Sequence, residues 1–290
     1  FHFKNLYYDD YSRFYFSDRV YGAQGYASYP FSRFSRLDLY LTQLTVARDN
    51  FLFQPNSTTN ILSTTLEYVN DAVIWGIVGP VAGQRYKITF DNSLKAVNSG
   101  LSYTSIQLDL RKYWHFWGRY NLALRIGGGG SRGEDAKKFY LGGSSNWIGP
   151  KRATADIYGV EDIYINEIIV PLRGYTYFDE VGTHYSIANL EFRYPFIDYF
   201  RLRFPLPITL QQVSGAIFWD MGAAWNYNKE FRFFDDQQGF PILGSLKGGF
   251  GVGARANLGI FVLRVDLAWA TNLSYVAPKP ETYFSFGAEF

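Results

Sequence analysis

Along most of this chain apolar and polar residues alternate one for one, and that period-two rhythm constrains it to extended strands. Leu37, Leu39 and Leu41 interleave with Arg36, Asp38, Tyr40 and Thr42. Tyr86, Ile88 and Phe90 interleave with Arg85, Lys87 and Thr89; Ile106, Leu108 and Leu110 with Gln107, Asp109 and Arg111. The same alternation returns in Tyr120, Leu122, Leu124 and Ile126 against Arg119, Asn121 and Arg125. Near the end, Phe250, Val252 and Ala254 alternate with Gly251, Gly253 and Arg255, and Phe261 through Trp269 alternates around Arg264 and Asp266. Counting such segments predicts about twelve strands and no convincing helix, an all-β chain.

A water-soluble sandwich and a transmembrane barrel both alternate, so the contents of the two faces must decide. Here the polar faces carry charges of both signs while the apolar faces are rich in aromatics, which make up 20% of the 290 residues. No run of about 18 apolar residues occurs, so an ordinary transmembrane helix is excluded. Barrel strands need only about 9 to 11 residues each, and a mean hydropathy of −0.15 is compatible with them. Tight turns near 30–33, 79–83 and 257–259 alternate with longer connections at 49–60, 127–183, 226–241 and 271–280, the asymmetry of an outer-membrane barrel. An even strand count puts both ends on the short-turn, periplasmic side.

Several function classes drop out. A net charge of +2 with scattered basic residues gives no footprint for nucleic acid. Without cysteine there is neither a disulfide framework nor a thiolate metal site, and His2, His115 and His184 stand far apart. The run Gly127-Gly128-Gly129-Gly130 lacks the Lys-Ser or Lys-Thr pair of a phosphate loop and is read as a flexible exit from a strand into the irregular interval 127–183. Phe1, with no leader before it, is read as the start of a mature form or a fragment.

One arginine stands out. Arg173 lies in the run Pro171-Leu172-Arg173-Gly174-Tyr175, outside any periodic segment, and is therefore expected on a loop. Downstream, the strand predicted over 185–196 puts Glu191 on its polar side, with Asn189 and Arg193. The strand predicted over 213–225 puts Asp220 and Phe218 on one face and Val213, Ile217, Trp219, Met221 and Trp225 on the other; Pro195 and the run at 204–207 are read as a turn. Two carboxylates thus point to one side within reach of Arg173. No histidine or nucleophile accompanies them, so no enzyme is expected.

These residues also carry a resemblance. Phe139-Tyr140-Leu141-Gly142-Gly143-Ser144, Leu172-Arg173-Gly174-Tyr175, Ala188 through Pro195 and Phe218-Trp219-Asp220-Met221-Gly222 follow one another as in the bacterial surface antigen, or BamA-type, outer-membrane assembly superfamily. The ending, from Gly251 through Arg264 and Asp266 to Phe290, is similar to that family's last three strands. The resemblance implies a sixteen-stranded barrel in a Gram-negative outer membrane, of which about twelve strands are visible, the first four lying upstream. Closure as a smaller barrel, residues 1–8 against 282–290, is the less favoured alternative. The family's sixth extracellular loop folds into the lumen, and its tip, here Arg173, Gly174 and Tyr175, would meet Glu191, Phe218 and Asp220. The last strand, with Phe284, Phe286, Gly287 and Phe290, resembles the signal by which such barrels are recognised for insertion.

The implied function is insertion or translocation of outer-membrane proteins without any cofactor. The implied partners are the lipid bilayer and unfolded outer-membrane clients, with room for periplasmic or lipoprotein accessory subunits. A barrel serving as anchor or pore for a soluble domain is the alternative. The sequence departs from the family in a stretch at 146–171 and in the absence of soluble periplasmic repeats.

Overall fold

In the computed structural model the residues described are all but 1, 10–13, 51–55, 94, 96–99, 152–162, 165–169, 203–207, 228–231, 233, 238–239, 260 and 288–290. Twelve long strands pair in chain order: β1 (His2–Asp9), β2 (Phe14–Pro30), β3 (Ser35–Asn50), β4 (Ser57–Asp71), β5 (Pro80–Ser93) and β6 (Tyr103–Phe116), then β7 (Tyr120–Arg132), β8 (His184–Leu202), β9 (Ile208–Trp225), β10 (Lys247–Asn257), β11 (Val262–Thr271) and β12 (Glu281–Phe286). Every ladder is antiparallel, and the short strand Ile74–Trp75 joins β5 off this path. Among the described residues no ladder joins β1 to β12. Among the same residues no helix is long and apolar enough to cross a membrane, which leaves crossing by strands untouched.

The burial pattern is inside out for a soluble protein. Leu41, Leu66, Ile88, Phe90, Ile106, Ile126, Leu190, Ile217, Val252 and Phe284 lie exposed on one face, while Asp18, Asp38, Asp91, Glu191, Asp220 and Asp266 are buried on the other. An apolar surface of that extent faces hydrocarbon in a transmembrane barrel and would be a liability in water. The wall is therefore that of an antiparallel transmembrane β-barrel. Aromatic ladders reinforce its outer face: Trp219, Phe250 and Trp269 stack across three strands at 5.8 and 6.1 Å between centroids. Phe116, Tyr120 and Tyr194 all pack against Phe192 near the 117–119 turn.

Connections are short at one rim, as at 31–34 and 117–119, and long at the other, as at 133–183 and 226–246. His2 and Phe286 both lie at the short-turn rim. Described residues of the connection 133–183, among them Phe139, Tyr140, Leu141, Leu172 and Tyr177, pack on the inner face, the one bearing the buried charges. Its two stems pair as Phe139–Leu141 with Glu180–Gly182, and Phe139, Leu141, Val170 and Leu172 pack against Tyr185 and Ile187 of β8. On β2 to β4, Val20, Leu44, Val46 and Ile61 form a second inner cluster with Leu101 and Tyr103, against which Tyr164 of the same connection rests.

Three expectations need correcting. The run Gly127-Gly128-Gly129-Gly130 is not a loop exit but wall, paired in register with His184 to Ile187 of β8. Its glycines fill crowded positions: a Cβ on Gly130 would come 2.6 Å from the His184 ring, and one on Gly129 2.8 Å from that of Tyr185. Pro195 does not end a strand; β8 absorbs it at a register shift between Pro195 and Ile197 and runs on to Leu202. Val213, predicted outward, is buried, beside the register shift between Gln211 and Ser214.

Candidate functional site

The loop presents Arg173 between two isolated bridges and a turn. Leu141 pairs with Val170 and Gly143 with Leu172, which fixes the chain one residue before the arginine. Gly174 then takes a φ of +103°, a left-handed turn that L side chains rarely adopt, and a Cβ there would lie 3.1 Å from the Ala270 amide. On the wall, Gly249 makes room for the tip: a Cβ would sit 1.8 Å from the Arg173 carbonyl oxygen. Loop backbone and sheet backbone therefore touch where side chains normally intervene.

The guanidinium is buried and fully engaged. Nε and Nη2 of Arg173 donate to the two oxygens of Asp220 at 2.7 and 2.9 Å, a bidentate pairing, and the Arg173 amide adds 3.3 Å to Oδ2. Nη1 donates to Glu191 Oε2 at 2.8 Å and lies 3.6 Å from Asp266 Oδ2. Below it, the Phe218 ring centroid is 3.5 Å from Cζ, a cation–π contact. Burial opposes the charge, but Asp220, Glu191 and Asp266 outweigh it and hold the Arg173 pKa well above its ordinary value.

Around this pair the wall supplies further charges. Glu191, fully buried, also accepts from Arg193 Nε at 2.7 Å and Arg255 Nη2 at 2.9 Å, so three guanidiniums share one carboxylate. Arg255 donates onward to Asp266 at 2.7 Å, and Arg264 donates to Ser144 Oγ at 2.6 Å and Ser145 O at 2.9 Å in the loop. Tyr283 of β12 clasps the tip from the other side. Its hydroxyl accepts from the Gly174 amide and donates to the Tyr175 carbonyl, both at 2.8 Å. The Tyr175 hydroxyl donates to Gly248 O at 2.9 Å, and burial raises its pKa.

Arg173, Gly174, Tyr175, Glu191, Phe218 and Asp220 thus come together at one place. Phe284 and Phe286 lie exposed on the outer side of β12, and Gly287 closes the strand with a φ of +103°; Phe290 lies outside the described residues. Arg193, Arg255, Arg264, Asp266 and Tyr283 are site members that reading the sequence did not single out. Alternation had put the first four on polar faces, and that was the available signal. The histidines are not assembled: His2 lies by Tyr21, His115 contacts Asn121 and His184 stacks on Trp225. Among the described residues the Asp220, Glu191 and Asp266 carboxylates are each taken up by guanidinium donors.

Comparison with known proteins gives three findings. A family model described as the Omp85 superfamily domain matches residues 62–290. Solved structures that match include BamA from Haemophilus ducreyi lacking POTRA domains 1–3, at a TM-score of 0.60 and 14% identity over 94% of this chain, a likeness of fold. That match takes in 54% of the BamA chain, so the present chain spans about half its length. No curated protein sequence matches.

Proposed function

The chain belongs to the Omp85 superfamily, and from that premise we propose that it is a non-enzymatic outer-membrane barrel that inserts or translocates other outer-membrane proteins. The family match over 62–290 carries this reading, and the outward apolar band suits a bilayer. Unfolded outer-membrane proteins are the clients, and periplasmic or lipoprotein subunits are candidate partners. Arg173 locks the 133–183 loop to the lumen wall through Asp220, Glu191 and Phe218, with Gly174 and Tyr175 forming the tip. A barrel whose wall must open and reclose needs a fixed internal strut, and a buried bidentate pair supplies one. The aromatic end of β12, Phe284 and Phe286 followed by Gly287 and Phe290, serves as the signal for the chain's own insertion.

The test is reconstitution of the full-length protein in liposomes with a urea-unfolded outer-membrane client, followed by heat-modifiable migration of that client. Client folding faster than in empty liposomes is expected, and Arg173→Ala should slow it. Folding at the empty-liposome rate would overturn the assembly reading in favour of a passive anchor or pore.

A further inference from the structure

Three arginines lie in one row across neighbouring strands. Arg85 of β5 stands opposite Arg111 of β6, and Arg111 stands opposite Arg125 of β7. All three share the inner parity of their strands, the one that carries the buried Thr89, Asp91, Ser105 and Ser131. Like charges set directly opposite on a sheet repel, so such a row needs anionic company. The wall supplies it sparingly. Asp109, opposite Lys87 in the next inward row, takes Arg111 at 2.8 and 3.0 Å and Arg125 at 3.1 and 2.8 Å, so two guanidiniums share one carboxylate. Arg85 comes only within 3.7 Å of Asp71, and Lys87 donates to Glu67 at 3.2 Å. Three acids thus stand against four cations, although the Arg111 and Arg125 side chains are only 21% and 13% exposed.

These side chains line a cavity of about 120 Å³. Gln107 adds an amide, and Val170 of the connection 133–183 with Tyr185 of β8 gives the cavity one apolar side. A space well under the roughly 300 Å³ from which drug-sized sites start suits a small ion better than a peptide segment. Arginine brings donors and no acceptor, and its planar fork matches two oxygens held on one centre. A cation meets the wrong charge there, and chloride offers no pair of oxygens.

We propose that this cavity binds one small oxyanion of the phosphate class, gripped by Arg85, Arg111 and Arg125 with Lys87 beside them, and that the ion fastens β5, β6 and β7 together from inside. The grip uses wall residues alone and is independent of the assembly reading. Inorganic phosphate and a phosphate monoester present the same kind of oxygens to it, and the test separates them.

The full-length protein in detergent micelles is treated with phenylglyoxal, which modifies accessible guanidiniums, in sodium phosphate and in sodium chloride of equal ionic strength. Mass spectrometry of the peptides should show Arg85 modified at least about threefold more slowly in phosphate at twice its dissociation constant, with the exposed Arg33 unaffected. Equal rates at Arg85 in the two salts overturn the site. Calorimetric titration with phosphate should saturate at one ion per chain, and Arg85→Gln should weaken binding about tenfold, the loss of one charge-assisted hydrogen bond. Arg85 is the residue to change because its contact with Asp71 is long and the neighbouring pairs survive its loss. Absence of saturation, or unchanged affinity in Arg85→Gln, overturns the proposal. If Arg85→Gln does not fold, labelling of the unsubstituted protein decides alone. With glycerol 1-phosphate as the probe, protection of Arg85 supports a monoester as ligand, and protection by inorganic phosphate only supports the free ion.

Discussion

The wall treats buried acids in two ways, and the division runs between its early and late strands. On β2 to β4 each acid is satisfied within the wall. Asp18 takes Arg48 bidentately at 2.7 and 2.8 Å; Asp38 takes Arg36, Ser28 and Tyr26; Glu67 takes Lys87 and Thr89. On β8 to β11 one buried acid, Asp220, leans on the loop, while Asp266 keeps Arg255 of the wall at 2.7 Å. The hydrogen bonds described for Asp220 all come from Arg173, whereas Glu191 keeps Arg193 and Arg255 whatever the loop does. Asp18, Asp38 and Glu67 keep a charged wall partner with or without the loop, whereas the hydrogen-bonding side chain that Asp220 has is the loop's Arg173.

That contrast is most directly broken by Arg173→Ala, which strands the Asp220 carboxylate. Loss of one partner from a buried pair costs about 3 to 5 kcal/mol, so the urea midpoint of the folded barrel should drop sharply. Adding Asp220→Asn should recover part of it, with a double-mutant coupling of about 1 to 3 kcal/mol; strictly additive losses would mean the two do not act together. Next in size is Gly249→Ala, which drives a methyl group into the Arg173 carbonyl and should cost about 1 to 3 kcal/mol. Limited proteolysis should then cut the 170–180 segment faster; unchanged cutting would show that the tip tolerates displacement.

Tyr283→Phe removes the hydroxyl that both accepts from Gly174 and donates to Tyr175, and should destabilise by about 1 to 2 kcal/mol. The smallest effect belongs to the early wall. Tyr164→Phe deletes a 3.0 Å bond to an Asp18 that still holds Arg48, so the midpoint should move by no more than about 0.5 to 1 kcal/mol. A loss at Tyr164 as large as at Tyr283 would erase the distinction between the two sides.

Much of this is legible from alternation, because a strand's parity fixes its inner face before any pairing is known. Glu191, Asp220, Arg255, Arg264 and Asp266 all read as polar-facing from their own segments. What could not be read is which of them meet. Arg255 reaches Glu191 from two strands away, and such contacts follow from the register of β8, β9 and β10 together. Tyr283 escaped notice because an aromatic on an inner face looks apolar until its hydroxyl has a partner. The tetraglycine run misled for the opposite reason: without side chains, a paired strand shows no alternation at all.

The stack of Trp219, Phe250 and Trp269 lies just behind the place where Gly249 and Ala270 meet the loop tip. Each ring sits one residue from an inner position that touches or adjoins Arg173 or Gly174. Two indoles on the hydrocarbon side therefore serve as built-in optical reporters, and their emission should register a slipping tip without a dye being attached to the protein.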